Sequence, residues 1–198
     1  MNKTRRERTF SAGNIARMAV LAAIASILFV IEIPIVAFYK LDLSNLPVLL
    51  GAFSMGVVPG LIILLLKSAV GLLHSSSGGI GELADFLMGA AFVVPAAVTY
   101  ALNKTRKGAL CGMLLGTLCM ALVAVAANKF IMIPFYLGMY HMDTAALVDW
   151  GGIKGVDSEW KLLFLITAPF NLFKGIVLSI VTGLIYKPLS PLLHGRVK

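Results

Sequence analysis

Residues 48–66 read VLLGAFSMGVVPGLIILLL, an apolar run without a single charge. Its length suits one membrane crossing, because a hydrocarbon core of about 30 Å needs about 20 helical residues. Val58-Pro59-Gly60 in its middle argues for two helices instead, since Pro and Gly together signal a turn. Charge decides between them. With the run divided into spans at about 46–58 and 60–74, the basic turn Asn103-Lys104-Thr105-Arg106-Lys107-Gly108 falls on the same side as the basic N-terminus. With the run fused, that turn falls on the opposite side, against the tendency of Lys and Arg to gather on the cytoplasmic face. Both pieces are shorter than a full crossing, which predicts tilt or a locally thinned bilayer.

The rest of the chain has the same character. Of 198 residues, 59% are hydrophobic and 13% charged, with a mean hydropathy of +0.93, the composition of an integral membrane protein. The apolar runs are continuous and lack the alternation of barrel strands, so the expected class is all-α. A single transmembrane domain over 1–198 is predicted, a six-helix bundle with spans at about 12–38, 46–58, 60–74, 82–102, 109–133 and 161–186 and with N- and C-termini cytoplasmic. The first apolar stretch lacks a small-residue cleavage site before a polar mature start and reads as a retained helix. On this topology eleven of the seventeen basic residues lie on the inner side, so the net charge of +8 follows from orientation and implies no nucleic acid.

Span one carries a stripe of small residues that includes Ala12, Ala16, Ala19, Ala22 and Ala23. Such a stripe lets another helix approach closely, either within the chain or from a separate subunit. After span five comes a loop of about 25 residues rich in aromatics (Tyr136, Tyr140, Trp150, Trp160) and acids. Its length is a sign of function.

Two polar groups sit where lipid is expected. In Ile166–Ser179, ITAPFNLFKGIVLS, Asn171 and Lys174 share a helix face, and Pro169 frees the carbonyl of Leu165. A mid-bilayer Lys costs roughly 2.5–3.5 kcal/mol, so this one should face inward and meet a partner or a solute. The topology gathers Leu41–Asn45, Ser75–Gly81, Asn128 and this face on the outer side, a pocket with amides for a planar ligand and rings for stacking. The other reading stays open: Asn128 and Asn171 bonded to each other, and Lys174 paired with Glu82 or Asp85. Glu82 suits a helix start, Asp85 an ion pair, and Lys67 either an acid partner or the interface.

Catalytic signatures are missing. His74, His141 and His194 lack metal-ligand spacing, the glycines at 78, 79 and 81 follow no strand, and no Walker motif occurs. Cys111 and Cys119, two helical turns apart, cannot bridge each other. No enzyme, metal or cofactor is expected, and any use of ATP requires other subunits.

LDLSNLPVLLGAF (41–53), GGIGELADFLMG (78–89), NKFIMIPFY (128–136) and APFNLFKG (168–175), with short-looped spans and a basic N-terminus, resemble the riboflavin-specific substrate-binding (S) components of energy-coupling factor (ECF) transporters, the RibU family. The resemblance runs over nearly the whole chain. It implies a prokaryotic plasma-membrane protein that binds riboflavin from outside, as cargo and not as a cofactor. It further implies docking on a transmembrane coupling subunit that carries two ATPases. Carried over with it are Asn128, Asn171 and Lys174 on the polar edges of the vitamin, helped by Leu41, Leu43, Ser44 and Gly79, and Ala19 and Ala23 facing the coupling subunit. Tyr136 and Trp150 are expected to stack on the ligand. The competing reading is a stand-alone proton-coupled carrier with Glu82, Asp85 and Lys174 as its relay, although no internal repeat is visible. A membrane enzyme using Glu82, Asp85 and His74 is the third.

Overall fold

The computed structural model describes residues 10–36, 39–75, 77–150 and 155–193. Helix α1 (Ala12–Val30) starts at Ser11, whose hydroxyl accepts from the Asn14 N–H. It was expected to reach residue 38 and stops at Val30. Pro34 explains the stop: in a continued helix its ring would strike the carbonyl of Val30, and it has no N–H to donate. The β-branched residues around it instead form strand β1 (Ile33–Val36), antiparallel to β2 (Tyr39–Leu41), with Ile33 opposite Leu41 and Pro34 opposite Lys40. This hairpin is the one departure from an all-α fold among the described residues.

The break in the 48–66 run falls at Gly56, whose φ of 108° suits only glycine, and not at Val58-Pro59-Gly60. Helix α2 (Asn45–Met55) ends there, and α3 (Val57–Gly71) begins with Pro59 in its first turn, where the missing N–H costs nothing. The turn chemistry was right and its place wrong by a few residues. With the 3₁₀ turn Leu72–His74, α3 is long and apolar enough to cross a membrane. Only α2 falls short, at eleven residues, roughly 16 Å.

Helices α4 (Ile80–Leu102) and α5 (Arg106–Ala127) follow. The expected long loop is largely helical: α5 continues through a π turn (Asn128–Met132) into α6 (Ile133–Tyr140), followed by α7 (Thr144–Trp150) and α8 (Glu159–Lys161). A second π turn (Leu162–Thr167) leads into α9 (Ala168–Leu193). Each π turn ends two residues before a proline, Pro134 and Pro169. Widening the helix there accommodates a ring that an ordinary turn would clash with.

Short α2 is the hub. It packs against α1, α3, α4 and α9, and Asn45 through Phe53 are all buried. Around it Ile63, Leu64, Phe92, Val93, Met113, Met120 and Leu178 complete the core. Helices α4 and α5 touch along two glycines: a Cβ on Gly112 would lie 2.7 Å from the Ala96 carbonyl oxygen, and one on Gly116 2.3 Å from that of Phe92. Outward-facing positions carry Leu73, Leu102, Leu122 and Phe130, all more than two-thirds exposed. A surface so apolar is one made for lipid.

Candidate functional site

Because α2 is short, a cavity of about 620 Å³ remains above it, between the hairpin, α1, α3, α4, the α5–α6 turn and α9. That volume lies within the roughly 300–1,000 Å³ of small-molecule sites. Asn128, Asn171 and Lys174 all line it, brought together from two helices remote in sequence. The amides do not bond to each other. Asn128 donates through Nδ2 to the Ala124 carbonyl at 2.8 Å, and Asn171 likewise to that of Thr167 at 2.9 Å. Each amide is thereby held against its own helix by its amino end, which leaves the oxygen as the end free to accept from a ligand. Both follow from the π turns: Asn128 opens one, and Thr167 closes the other.

Tyr39, Tyr136, Tyr140, Phe170, Phe29, Met88, Met120 and Met132 supply apolar walls. Tyr136 and Tyr140 stack at 6.1 Å, and Tyr39 leans on Phe170 at 5.2 Å while its hydroxyl bonds to Thr167. Burial pushes the Tyr39 phenol up to about 12, so it is neutral at any working pH. The side chain of Trp150, the other expected stacking partner, lies outside the described residues.

Below the cavity lies a network of charges that the sequence hinted at only in part. Lys174 Nζ donates to Asp42 Oδ2 at 2.6 Å and stands 3.7 Å from Asp85 Oδ1. Lys67 Nζ lies 2.5 Å from Asp85 Oδ2 and donates to Ser44 Oγ and Asn45 Oδ1, both at 2.9 Å. The expected Lys174–Asp85 pair is therefore the longer of two, and Glu82 is not a partner: it accepts from Ser75 and Ser77 at 2.8 and 3.2 Å. Asp42, in the turn before α2, went unnoticed in the sequence although it sits in the LDLSNLP stretch. Burial drives its carboxyl up, but Lys174 and Lys67 beside it outweigh burial and, with hydrogen bonds from Lys174 and Ser44, hold it at about 2. Two cations and two anions leave the network neutral, which is how four buried charges are tolerated.

Four residues carried over by resemblance, Leu41, Leu43, Ser44 and Gly79, do not line the cavity. Leu43 packs against the core, and fully buried Ser44 is committed to Asp42 and Lys67. Gly79, with φ of 91°, gives its N–H to Ser75 and starts α4. Their neighbours Asp42, Asn45, Ser77 and Gly81 take the lining positions. Ala19 and Ala23 lie on the exposed face of α1, opposite buried Met18, Leu21, Ala22 and Ala25.

Residues 14–186 match the family described as ECF transporter, substrate-specific component. The chain is an ECF transporter S component. It is 31% identical to the riboflavin transporter RibU of Staphylococcus aureus (strain TCH60), covering 96% of this chain and 97% of that protein. The riboflavin transporter RibU of Streptococcus thermophilus is 30% identical over 90% and 83%, and the riboflavin transporter FmnP of Bacillus subtilis 27% over 88% and 90%. The solved S component of a bacterial ECF transporter superposes with a TM-score of 0.71 at 31% identity, over 90% of this chain and 96% of that one. For this S component, an integral membrane transport protein, the cavity above α2 is the candidate substrate site.

Proposed function

We propose that this S component binds riboflavin in the cavity above α2. The observation that carries the reading is the pair of clamped amides, Asn128 and Asn171, facing the same apolar space beside Lys174. An isoalloxazine ring is flat and largely apolar, with carbonyls and an imide along one edge. Fixed amide oxygens accept from the imide or the ribityl hydroxyls, and the ammonium donates to a carbonyl. The relatives' names point to the same vitamin. Carboxylates outnumber ammonium groups around the cavity: Glu32, Asp42, Glu82 and Asp85 against Lys40 and Lys174, with Lys40 already paired to Glu32 at 2.5 Å. That balance favours the uncharged vitamin over its phosphate ester.

In this reading both termini are cytoplasmic, the cavity opens outward, and the exposed Ala19/Ala23 face of α1 docks on a membrane coupling subunit that carries two ATPases. The uneven spread of basic residues along the chain supports that orientation, and the exposed stripe of Ala12, Ala16, Ala19 and Ala23 supports close helix contact. Titrating purified protein with riboflavin and with FMN, read by quenching of flavin fluorescence, tests it. Saturable one-to-one quenching by riboflavin, weaker with FMN, is expected; no saturable binding of riboflavin refutes the proposal.

A further inference from the structure

Lys67 has no place in the ligand site just described, yet it is among the most deeply buried groups of the protein, with no exposed side-chain surface. It does not line the cavity. Three oxygens surround its ammonium: Asp85 Oδ2, Ser44 Oγ and Asn45 Oδ1. Its fourth side faces the Phe29 ring, 5.1 Å from the centroid. Two of its N–H groups are given to Ser44 and Asn45 and its charge is paired with Asp85, so Lys67 is committed within the protein.

Lys174 is different. It has one close partner, Asp42 at 2.6 Å, and a second acid, Asp85, at 3.7 Å, beyond hydrogen-bond length. Asp42 is itself engaged at both oxygens, with Ser44 on Oδ1 and Lys174 on Oδ2. The other oxygen of Asp85 is the one that lies against Lys67.

Taking Lys174 as a ligand group, as in the reading above, we propose that Lys67 is a positioning residue that acts through Asp85: it neutralises and retains that carboxylate so that Lys174 keeps N–H directions for the substrate. Without Lys67, one ammonium faces two carboxylates. Asp85 then turns its charge on Lys174, the shared cation is spent on the protein, and the substrate loses a charge-assisted donor. The five elements meeting here are α1 through Phe29, α2 through Asn45, α3 through Lys67, α4 through Asp85 and α9 through Lys174. Shape alone does not account for a lysine at this point, since a methionine fills similar space without demanding a partner.

The test compares Lys67→Met with the charge-balanced pair Lys67→Met/Asp85→Asn in riboflavin titrations. The single variant is expected to bind ~10- to 100-fold more weakly, the cost of one charge-assisted hydrogen bond, and the pair to regain most of that loss. A merely structural Lys67 predicts instead a lower melting temperature in the single variant with the riboflavin affinity of the folded protein unchanged. Equal affinities for single and pair, or wild-type affinity in the single, overturn the proposal. If Lys67→Met does not fold, Lys67→Gln, which removes the charge and keeps a hydrogen-bonding end, replaces it. A crystal structure of the single variant adds a readout that needs no ligand: the Lys174–Asp85 separation should contract from 3.7 Å to about 2.8 Å. No contraction overturns the proposal too. A wild-type protein that fails to bind riboflavin refutes the ligand assignment, and the contraction alone then decides the role of Lys67.

Discussion

Replacing Asn171 with Ala removes a side chain that is 3% exposed and whose two ends do different things. Its amino group is spent on the Thr167 carbonyl at 2.9 Å, so the oxygen is the end left for a substrate. If riboflavin donates to that oxygen, truncation leaves a ligand N–H or O–H buried and unpaired, worth about 1–3 kcal/mol. That energy corresponds to a roughly 5- to 150-fold rise in Kd. Because Asn171 itself is buried, the upper half of the range is expected; a water that fills the gap would bring it to the lower half. The assay is flavin fluorescence quenching in detergent, with the melting temperature of the ligand-free protein measured alongside. Asn103→Ala, on the exposed turn between α4 and α5, serves as control and leaves Kd unchanged. An Asn171→Ala protein that melts normally and binds within twofold of wild type refutes the placement of the vitamin against α9.

Three other outcomes follow from the same structure. Gly116→Val places a Cβ 2.3 Å from the Phe92 carbonyl oxygen, which is backbone and cannot step aside; a loss of about 1–3 kcal/mol, read as a lower melting temperature, is expected, and an unchanged melting temperature would show α4 and α5 to be less closely packed. Asp42 has its carboxyl lowered from 3.8 to about 2 on folding, so its stabilising contribution is complete above about pH 4 and is lost as pH falls toward 2. Melting temperature should therefore carry an acid limb in wild type that Asp42→Asn lacks, with no pH dependence from this group between pH 5 and 8; identical acid limbs in the two proteins would contradict it. Ala19→Trp and Ala23→Trp, both on the exposed face of α1, should leave riboflavin affinity intact while uptake by cells falls to background, and normal uptake would remove that face from the docking surface.

Much of this architecture can be read from the chain. Continuous apolar runs give the helical membrane class, and the positive-inside count demands a break between α2 and α3. Asn128, Asn171 and Lys174 announce an inward polar face because amides and ammonium groups are costly in lipid. Other features stay hidden for physical reasons. Residues 31–36, IEIPIV, are as apolar as the helix before them, and only the geometry of Pro34 against Val30 turns Ile33–Val36 into a strand. Asp42 looks like an ordinary loop acid until the fold carries Lys174 to it from 132 residues away. Gly112 and Gly116, spaced by one helical turn in α5, were a legible packing signal that the alanines of α1 overshadowed. Ser44 and Gly79, carried over by resemblance alone, hydrogen-bond within the frame beside the cavity, which no spacing in the sequence announces.

The two π turns carry a consequence for how such a receptor can be altered. Each holds one residue more than an ordinary helix needs, so removing a single residue from 162–167 would let the backbone heal into regular α-helix. A wide turn takes up its extra residue within itself, closing by i→i+5 instead of i→i+4 bonds, so the helix beyond would keep its face and Asn171 and Lys174 would stay aimed at the cavity. The cost would fall on Pro169, whose ring would then meet a turn of ordinary width and clash with the carbonyl four residues before it. The surplus residue works as local slack in α9, room made for one proline without turning the polar face away from its cavity.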